Sequence, residues 1–286
     1  VGGGEPVNVI LDMQEAEYHA HSALSSTNAR LLLDSPAKYR YAQTHPEAPK
    51  AIYDVGSAVH SAVLGVGAKT VIIPEEHLAA NGAISTTAAK KFVEEARFNG
   101  LIPVKRDVHL EIEAMKESVL AHPTARILFE QVGNPEVSVF GTDPETEIRC
   151  RARFDYLPSQ RAEKGQTVAV DLKSADDASP SGFSRAAATH GYHVQYGHYD
   201  DTNRFGGAIE IDGFAFVVVE KHAPYLVGVY RLNSVWEQIG IDEARRARRI
   251  FRECLDTDTW PGYGDEIQSL MAPFWLISEA AEASLV

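Results

Sequence analysis

The stretch RARFDYLPSQRAEKGQTVAVDLKSA, residues 151–175, reads as two short strands separated by a polar loop. In the first, Arg151, Arg153 and Asp155 alternate with Ala152 and Phe154. The second, QTVAVDLKS, is apolar and β-branched, and the Lys-Gly pair at 164–165 marks the turn before it. Asp155 ends one strand and Asp171 the next, so pairing of the two strands brings both carboxylates to one end of a sheet. Side chains alternate along a strand, which puts Lys173 on the same face as Asp171.

Such a set suits a divalent cation. Mg²⁺ takes hard oxygen ligands and keeps several waters, so Asp155, Asp171 and the backbone carbonyl of Leu172 suffice as the protein's share. The Lys173 ammonium reaches the same point, where it orients an attacking water or stabilises charge on a phosphate. Taken singly, these residues have ordinary readings: Asp forms turns at strand ends, and Asp-x-Lys is often a solvated ion pair. Together they serve no obvious packing purpose.

Upstream, EVSVFGT at 136–142 is a third strand of the same kind, set off by Asp143-Pro144, so the three strands form a meander. Downstream, SGFSRAAATHGYHVQYGHYDDTNRF reads as a helix bent near Gly191, followed by the buried strand GFAFVVVEK and a further strand, YLVGVYRL. The expected fold is therefore α/β, a mixed sheet in which a meander is followed by a helix and a strand. Before it the pattern is helical. Ser25-Ser26-Thr27 caps one helix, Ser35-Pro36 opens a second, and IYDVGSAVHSAVL (52–64) carries His60 on a third. Two more fall at about 86–98 and 104–120, as a helical insertion. The division expected is one domain: a loose lead-in at 1–24, a mainly helical part at 25–134, a catalytic core at 135–255 and an irregular tail at 256–286.

A chain of 286 residues with 44% hydrophobic and 23% charged side chains can bury one large core. Two cysteines, Cys150 and Cys254, are too few for a disulfide framework, and no apolar run approaches the roughly 20 residues that span a bilayer. The opening VGGGEPVNVILDM has no basic region leading into an apolar signal core, so the expectation is a cytoplasmic protein without a membrane partner. The net charge of −13 argues against a protein that coats nucleic acid by bulk attraction. It leaves room for a nuclease, whose metal-binding carboxylates are themselves negative.

Basic residues near the acids are candidates for gripping phosphates: Arg151 and Arg153 beside Asp155, and Arg185 on the following helix. The run Arg245, Arg246, Arg248, Arg249 and Arg252 reads instead as the solvated face of a helix. His190, His193 and His198 lack the spacing of a zinc set. Glu136, at the start of the first strand, is a further candidate acid. Gln195 and Tyr199 stand one turn apart on the bent helix.

In the order GSAVH (56–60), RARFDYL (151–157), VDLKSA (170–175) and QYGHY (195–199), the chain resembles the PD-(D/E)xK nucleases, in the branch of the RecB nuclease domain and the RecE exonuclease. GYHVQYGHY and WPGYGDEI are similar to RecE-type phage or prophage exonucleases (exonuclease VIII) in particular, and the resemblance covers residues 24–275. Asp171 stands where some members have Glu. The resemblance implies a restriction-endonuclease-like core with an N-terminal helical elaboration, His60 as a metal ligand with Asp155 and Asp171, Lys173 serving the attacking water, and Gln195 and Tyr199 organising the site or contacting DNA. It further implies a Mg²⁺-dependent exonuclease on linear double-stranded DNA, with Mn²⁺ able to substitute. Its polarity would be 5′ to 3′, exposing single strands for a RecT-type annealing protein, in a ring-like homo-oligomer of a bacterial or phage-infected cell. The alternatives are a structure-specific or helicase-linked endonuclease and a catalytically inactive nucleic-acid-binding module.

Overall fold

A computed structural model describes residues 8–45, 55–273 and 276–277. In chain order the elements are β1 (Val9–Ile10), α1 (Glu15–Ala20), α2 (Ser26–Asp34), α3 (Pro36–Thr44), α4 (Val55–Leu64), β2 (Thr70–Ile72), α5 (Thr87–Phe98), β3 (Ile102–Val104), α6 (Arg106–Ala121) and α7 (Pro123–Phe129). They continue as β4 (Gly133–Thr142), β5 (Arg149–Pro158), β6 (Val168–Ala175), α8 (Pro180–His190), α9 (Tyr192–Gly206), β7 (Gly213–Glu220), β8 (Val227–Tyr230) and α10 (Ser234–Thr257).

The main sheet has the order β1-β4-β5-β6-β7-β8. β4, β5 and β6 form the antiparallel meander, α8 and α9 carry the chain across to β7, which pairs parallel with β6, and β8 closes the sheet antiparallel to β7. The mixed α/β core has the connectivity expected from the hydrophobic pattern. One face of the sheet packs Val139, Ala152, Phe154, Phe214 and Phe216 against Phe183 of α8 and Tyr199 of α9. The other packs Val170, Leu172, Val217 and Val219 against Val59 of α4 and Ile112 and Met115 of α6. Burial on both faces is why β6 and β7 are near-continuous apolar runs.

Local chemistry sets the helix ends. The Ser25 side chain accepts the Asn28 N–H at 3.2 Å as an N-cap of α2, Pro36 occupies the first turn of α3, and Gly191 bends the chain between α8 and α9 with φ 65°. Gly197, inside QYGHY, has a packing role. A Cβ there would lie 2.3 Å from the backbone carbon of Gly240, so α9 and α10 touch backbone to backbone.

Several expectations change. Residues 8–24 are an edge strand and a helix, where the sequence suggested a loose lead-in, because Arg151 reaches from β5 to the carbonyls of Tyr18, His19 and His21. The insertion holds a parallel pair, β2 with β3, in addition to helices, and Val104 belongs to β3. Pro123 starts α7 rather than ending structure, as a proline in the first turn can. Residues 52–54 of the expected His60 helix lie outside the described residues.

The arginine run also divides. Arg245, Arg246, Arg249 and Arg252 pair with acids at the surface as expected, but Arg248 is 1% exposed, with Nε 2.7 Å from Asp143 and Nη2 2.5 Å from Asp201. It ties α10 to the β4–β5 turn and to α9. Removing one partner of a buried pair strands the others, so Arg248→Ala is expected to lower unfolding free energy by about 3–5 kcal/mol. Arg246→Ala, at an exposed pair, should change it by less than about 1 kcal/mol. Urea melts of the two variants check this, and equal losses would refute the buried-clamp reading.

Candidate metal centre and active site

β5 and β6 pair through Tyr156 and Val170. Where the ladder would continue, the Leu172 N–H donates to Asp155 Oδ2 at 2.7 Å, so a side chain replaces a backbone partner and holds Asp155 against β6. Alternation along the strands slips at the same place. Phe154 and Val137 pack on the α9 side of the sheet, yet Tyr156, two residues from Phe154, packs on the α4 side. Glu136, between Pro135 and Val137 and abreast of Asp155, has φ 54°, a left-handed conformation that costs a non-glycine residue strain. Strain of this kind collects at functional sites.

Around Asp155 the candidate residues converge. His60 Nδ1 lies 3.5 Å from Asp155 Oδ2. One ligand atom each from His60, Glu136 and Asp155 falls within 4.8 Å of the others, a spread that an ion with ligand distances of roughly 2.0–2.6 Å can bridge. Asp171, 2% exposed, stands outside this cluster: Lys173 Nζ is 2.5 Å from its Oδ2, and Gln195 Nε2 donates to its Oδ1 at 2.6 Å. The Lys173 ammonium also lies 5.0 Å over the Tyr192 ring. His60, Glu136, Asp155, Lys173 and Tyr199 line one cavity of about 1660 Å³.

Burial dominates the electrostatics. It pushes the Asp155 carboxyl up to about 8, reinforced by Asp171 and opposed by Lys173. It also raises Glu136, with Asp155 adding to the effect, and lowers His60, as does Lys173. Burial alone would lower Lys173, but Asp171 and Asp155 outweigh it and hold the ammonium above the usual lysine value. Two desolvated carboxyls beside an imidazole whose proton affinity is lowered make a place where a divalent cation would be favoured, in addition to the Lys173 and Arg153 charges already there. Two carboxylates and one imidazole form a donor set that a divalent metal ion can use.

The other expected residues fall in different places. Tyr199 is buried, edge-on to Phe154 at 5.0 Å, and its hydroxyl meets the Arg153 backbone. The Leu172 backbone hydrogen-bonds to His60. Arg151, expected to grip phosphate, is buried with its guanidinium spent on the carbonyls of α1, so it serves the fold. Arg153 pairs with Glu136 at 3.1 Å and lies 5.0 Å over the Tyr18 ring, inside the cavity. Arg185 is exposed, 3.8 Å from Asp177, and does not line the cavity. His198 is buried and bonded to the Arg151 carbonyl, with burial lowering it to about 4, so it is a neutral core histidine. Sequence reasoning missed Tyr192, although its place one turn before Gln195 on α9 was a usable signal. It also missed Ser174 and Lys221, which line the cavity and carry no local pattern.

A mixed sheet between helices, with an acid on each of two adjoining strands and Asp-x-Lys on the second, defines a PD-(D/E)xK-type nuclease fold. Residues 25–273 match the profile of the PDDEXK-like domain of unknown function (DUF3799), and the chain belongs to that family. The crystal structure of a candidate exonuclease from Eubacterium rectale is similar with a TM-score of 0.56 at 12% identity, covering 94% of this chain and 98% of that one, which shows a shared fold. The crystal structure of SSO0001 covers 85% of this chain and 81% of its own at 13% identity, and its TM-score of 0.37 carries no argument. Among curated proteins none matches in sequence.

The raised carboxyls set a pH dependence. Asp155 binds its proton more tightly folded than unfolded, so without metal its contribution to stability is whole below the unfolded value of about 4 and is lost as pH rises through about 8. A cation competes with that proton, so Mg²⁺ or Mn²⁺ should raise the melting temperature more near pH 9 than near pH 6, against an EDTA control. Equal shifts at both pH values would count against the assignment. Glu136→Gly relieves the left-handed strain, so it should match or exceed the parent's urea midpoint, by up to about 1 kcal/mol, while reducing the metal-induced shift. Glycine in an ordinary strand position would destabilise instead.

Proposed function

We propose that this protein is a divalent-metal-dependent deoxyribonuclease that hydrolyses phosphodiester bonds from the ends of linear duplex DNA. The observation that carries the reading is the position of Asp155, which with His60, Glu136 and Lys173 lines one cavity, while Asp171 stands buried behind Lys173. A divalent cation held by the cluster, Mg²⁺ with Mn²⁺ as substitute, supplies charge stabilisation at the phosphate and a more acidic water. Lys173 directs a permanent positive charge into the cavity and donates to a phosphate oxygen or to the attacking water. Asp171 keeps that ammonium charged and aimed, and Gln195 holds the other Asp171 oxygen so that the carboxylate cannot rotate away. Arg153 and Lys221 add cationic groups along the cavity for neighbouring phosphates. No nucleophile on the chain is needed.

End-directed cutting, 5′ to 3′ polarity, a ring-like assembly and hand-over to a RecT-type annealing protein in a bacterial cytoplasm extend this reading. They are supported by the likeness of GYHVQYGHY and WPGYGDEI to RecE-type exonucleases. Among the described residues no helix is long and apolar enough to cross a membrane.

With Mg²⁺ the protein should degrade a linear duplex and leave covalently closed circular DNA intact, and EDTA should stop the reaction. Asp155→Asn and Lys173→Ala should each reduce the rate by on the order of a hundredfold or more. Cutting of the closed circle would establish the endonuclease alternative, and a parent inactive with both Mg²⁺ and Mn²⁺ would leave a binding module.

A further inference from the structure

Lys173 reaches the cavity from β6 as a mostly covered side chain, 20% exposed, with Asp171 Oδ2 2.5 Å from its Nζ. A lysine carries a compact charge on a flexible four-carbon stem, so a single partner leaves the ammonium free to swing about that contact. A second contact of another kind is present. Nζ stands 5.0 Å over the centre of the Tyr192 ring. Lys173 lines the cavity and Tyr192 does not, so any effect of the ring on a substrate passes through the ammonium.

The ring is itself held in place. Gly191, left-handed at φ 65°, ends α8 and starts α9, and Tyr192 is the first residue of the new helix. Its ring lies nearly parallel to those of Phe183 in α8 and Phe216 in β7, 5.8 Å from each and inclined by 28° and 26°. Phe216 pairs with Asp171 in the parallel ladder and Val218 with Lys173, so the strand that anchors the ring runs in register with the strand that carries the lysine. Tyr192 shares its face of α9 with Gln195, which holds the other oxygen of Asp171. Asp171 and Lys173 are thus each met from one helix face. Burial raises the Tyr192 hydroxyl above its ordinary value, so near neutral pH the ring is uncharged and meets the ammonium through the negative face of its π system.

We propose that Tyr192 is a positioning residue for the hydrolysis: its ring face holds the Lys173 ammonium at the cavity wall, in the orientation from which it meets a phosphate oxygen or the attacking water. The inference rests on the nuclease reading for the reaction, while the contact between lysine and ring stands on the geometry alone. An aliphatic side chain of similar bulk would fill the space and leave the ammonium tethered by Asp171 only. Because the attraction comes from the ring's quadrupole, the hydroxyl is not required.

Turnover and KM on a linear duplex with Mg²⁺ are measured for Tyr192→Phe, for Tyr192→Leu, and for proteins carrying at this position a phenylalanine with one, two or three ring fluorines. Fluorine drains the negative face of the ring and barely changes its shape. Tyr192→Phe should keep turnover within about twofold of the parent, and Tyr192→Leu should lower it roughly tenfold with KM unchanged, the size of a desolvated cation–π contact. The fluorinated series should fall stepwise between the two, and it decides alone if Tyr192→Leu does not fold. In a Lys173→Ala background Tyr192→Leu should cost nothing further. A flat fluorine series, or an equal loss from Tyr192→Leu with and without Lys173, means a ring that only packs the core and overturns the proposal. Should the parent fail to cut DNA, the nuclease reading falls, and urea unfolding of Tyr192→Leu, Lys173→Met and the double variant tests the contact separately. Lys173→Met keeps the stem and removes the charge, so losses that fail to add retain the contact, and additive losses remove it.

Discussion

The hydrogen bond from the Leu172 N–H to Asp155 Oδ2 is the contact on which the site depends. Two strands that pair through Tyr156 and Val170 would diverge without it, and a carboxylate as buried as Asp155 would have no reason to lie against an apolar strand. With it, Asp155 is fixed beside the strand that bears Asp171 and Lys173, and His60 comes within reach from the opposite layer. The slip in alternation at Glu136 and Asp155 is the backbone's share of the same arrangement. It turns both acids toward one cavity while leaving Phe154 in the core on one side and Tyr156 on the other.

Charge completes the argument. Asp155, Asp171 and Glu136 share the site with the cations Lys173 and Arg153, and burial, with Lys173, lowers the proton affinity of His60. Lys173 is committed to Asp171, which leaves Asp155 and Glu136 with Arg153 between them. Burial, and after it repulsion from neighbouring acids, raises both carboxyls, and either a proton or a metal ion relieves that cost. Proton affinity and metal affinity here have one physical origin. Asp171 and Asp155 accordingly differ in their contacts: Asp171 pairs with Lys173 and Gln195, while Asp155 belongs to the cluster with His60 and Glu136.

Strand periodicity made the core legible in the sequence. A period of two puts Asp171 and Lys173 on one face whatever the rest of the chain does, and apolar runs buried on both sides separate β6 and β7 from the half-exposed strands. Ser25, Pro36 and Gly191 were readable because capping and left-handed turns depend on neighbours in the chain. What was not legible depends on partners far away. Arg151 looks like a phosphate ligand beside Asp155, and only the return of residues 18–21 shows that its guanidinium caps α1. Arg248 is indistinguishable in sequence from Arg249, yet one turns toward Asp143 and Asp201 and the other toward surface Glu145. β2 and β3 are three residues each and pair across some thirty residues, below what periodicity can detect. Glu136 was visible as an acid, but its φ was not.

The division of labour between layers follows from these distances. The sheet supplies the acids and the lysine from strands locked by their neighbours, so their geometry tolerates little variation. The cavity walls come from segments held by fewer constraints: α1 by the Arg151 clamp, the turn before α2 by its Ser25 cap, and the Val66–Ala68 and Gly100–Ile102 segments by the small β2–β3 pair. Such walls can change without disturbing the sheet. On the proposed reading, the residues that act on the phosphate come from β5 and β6, and the N-terminal elements supply the cavity walls around them.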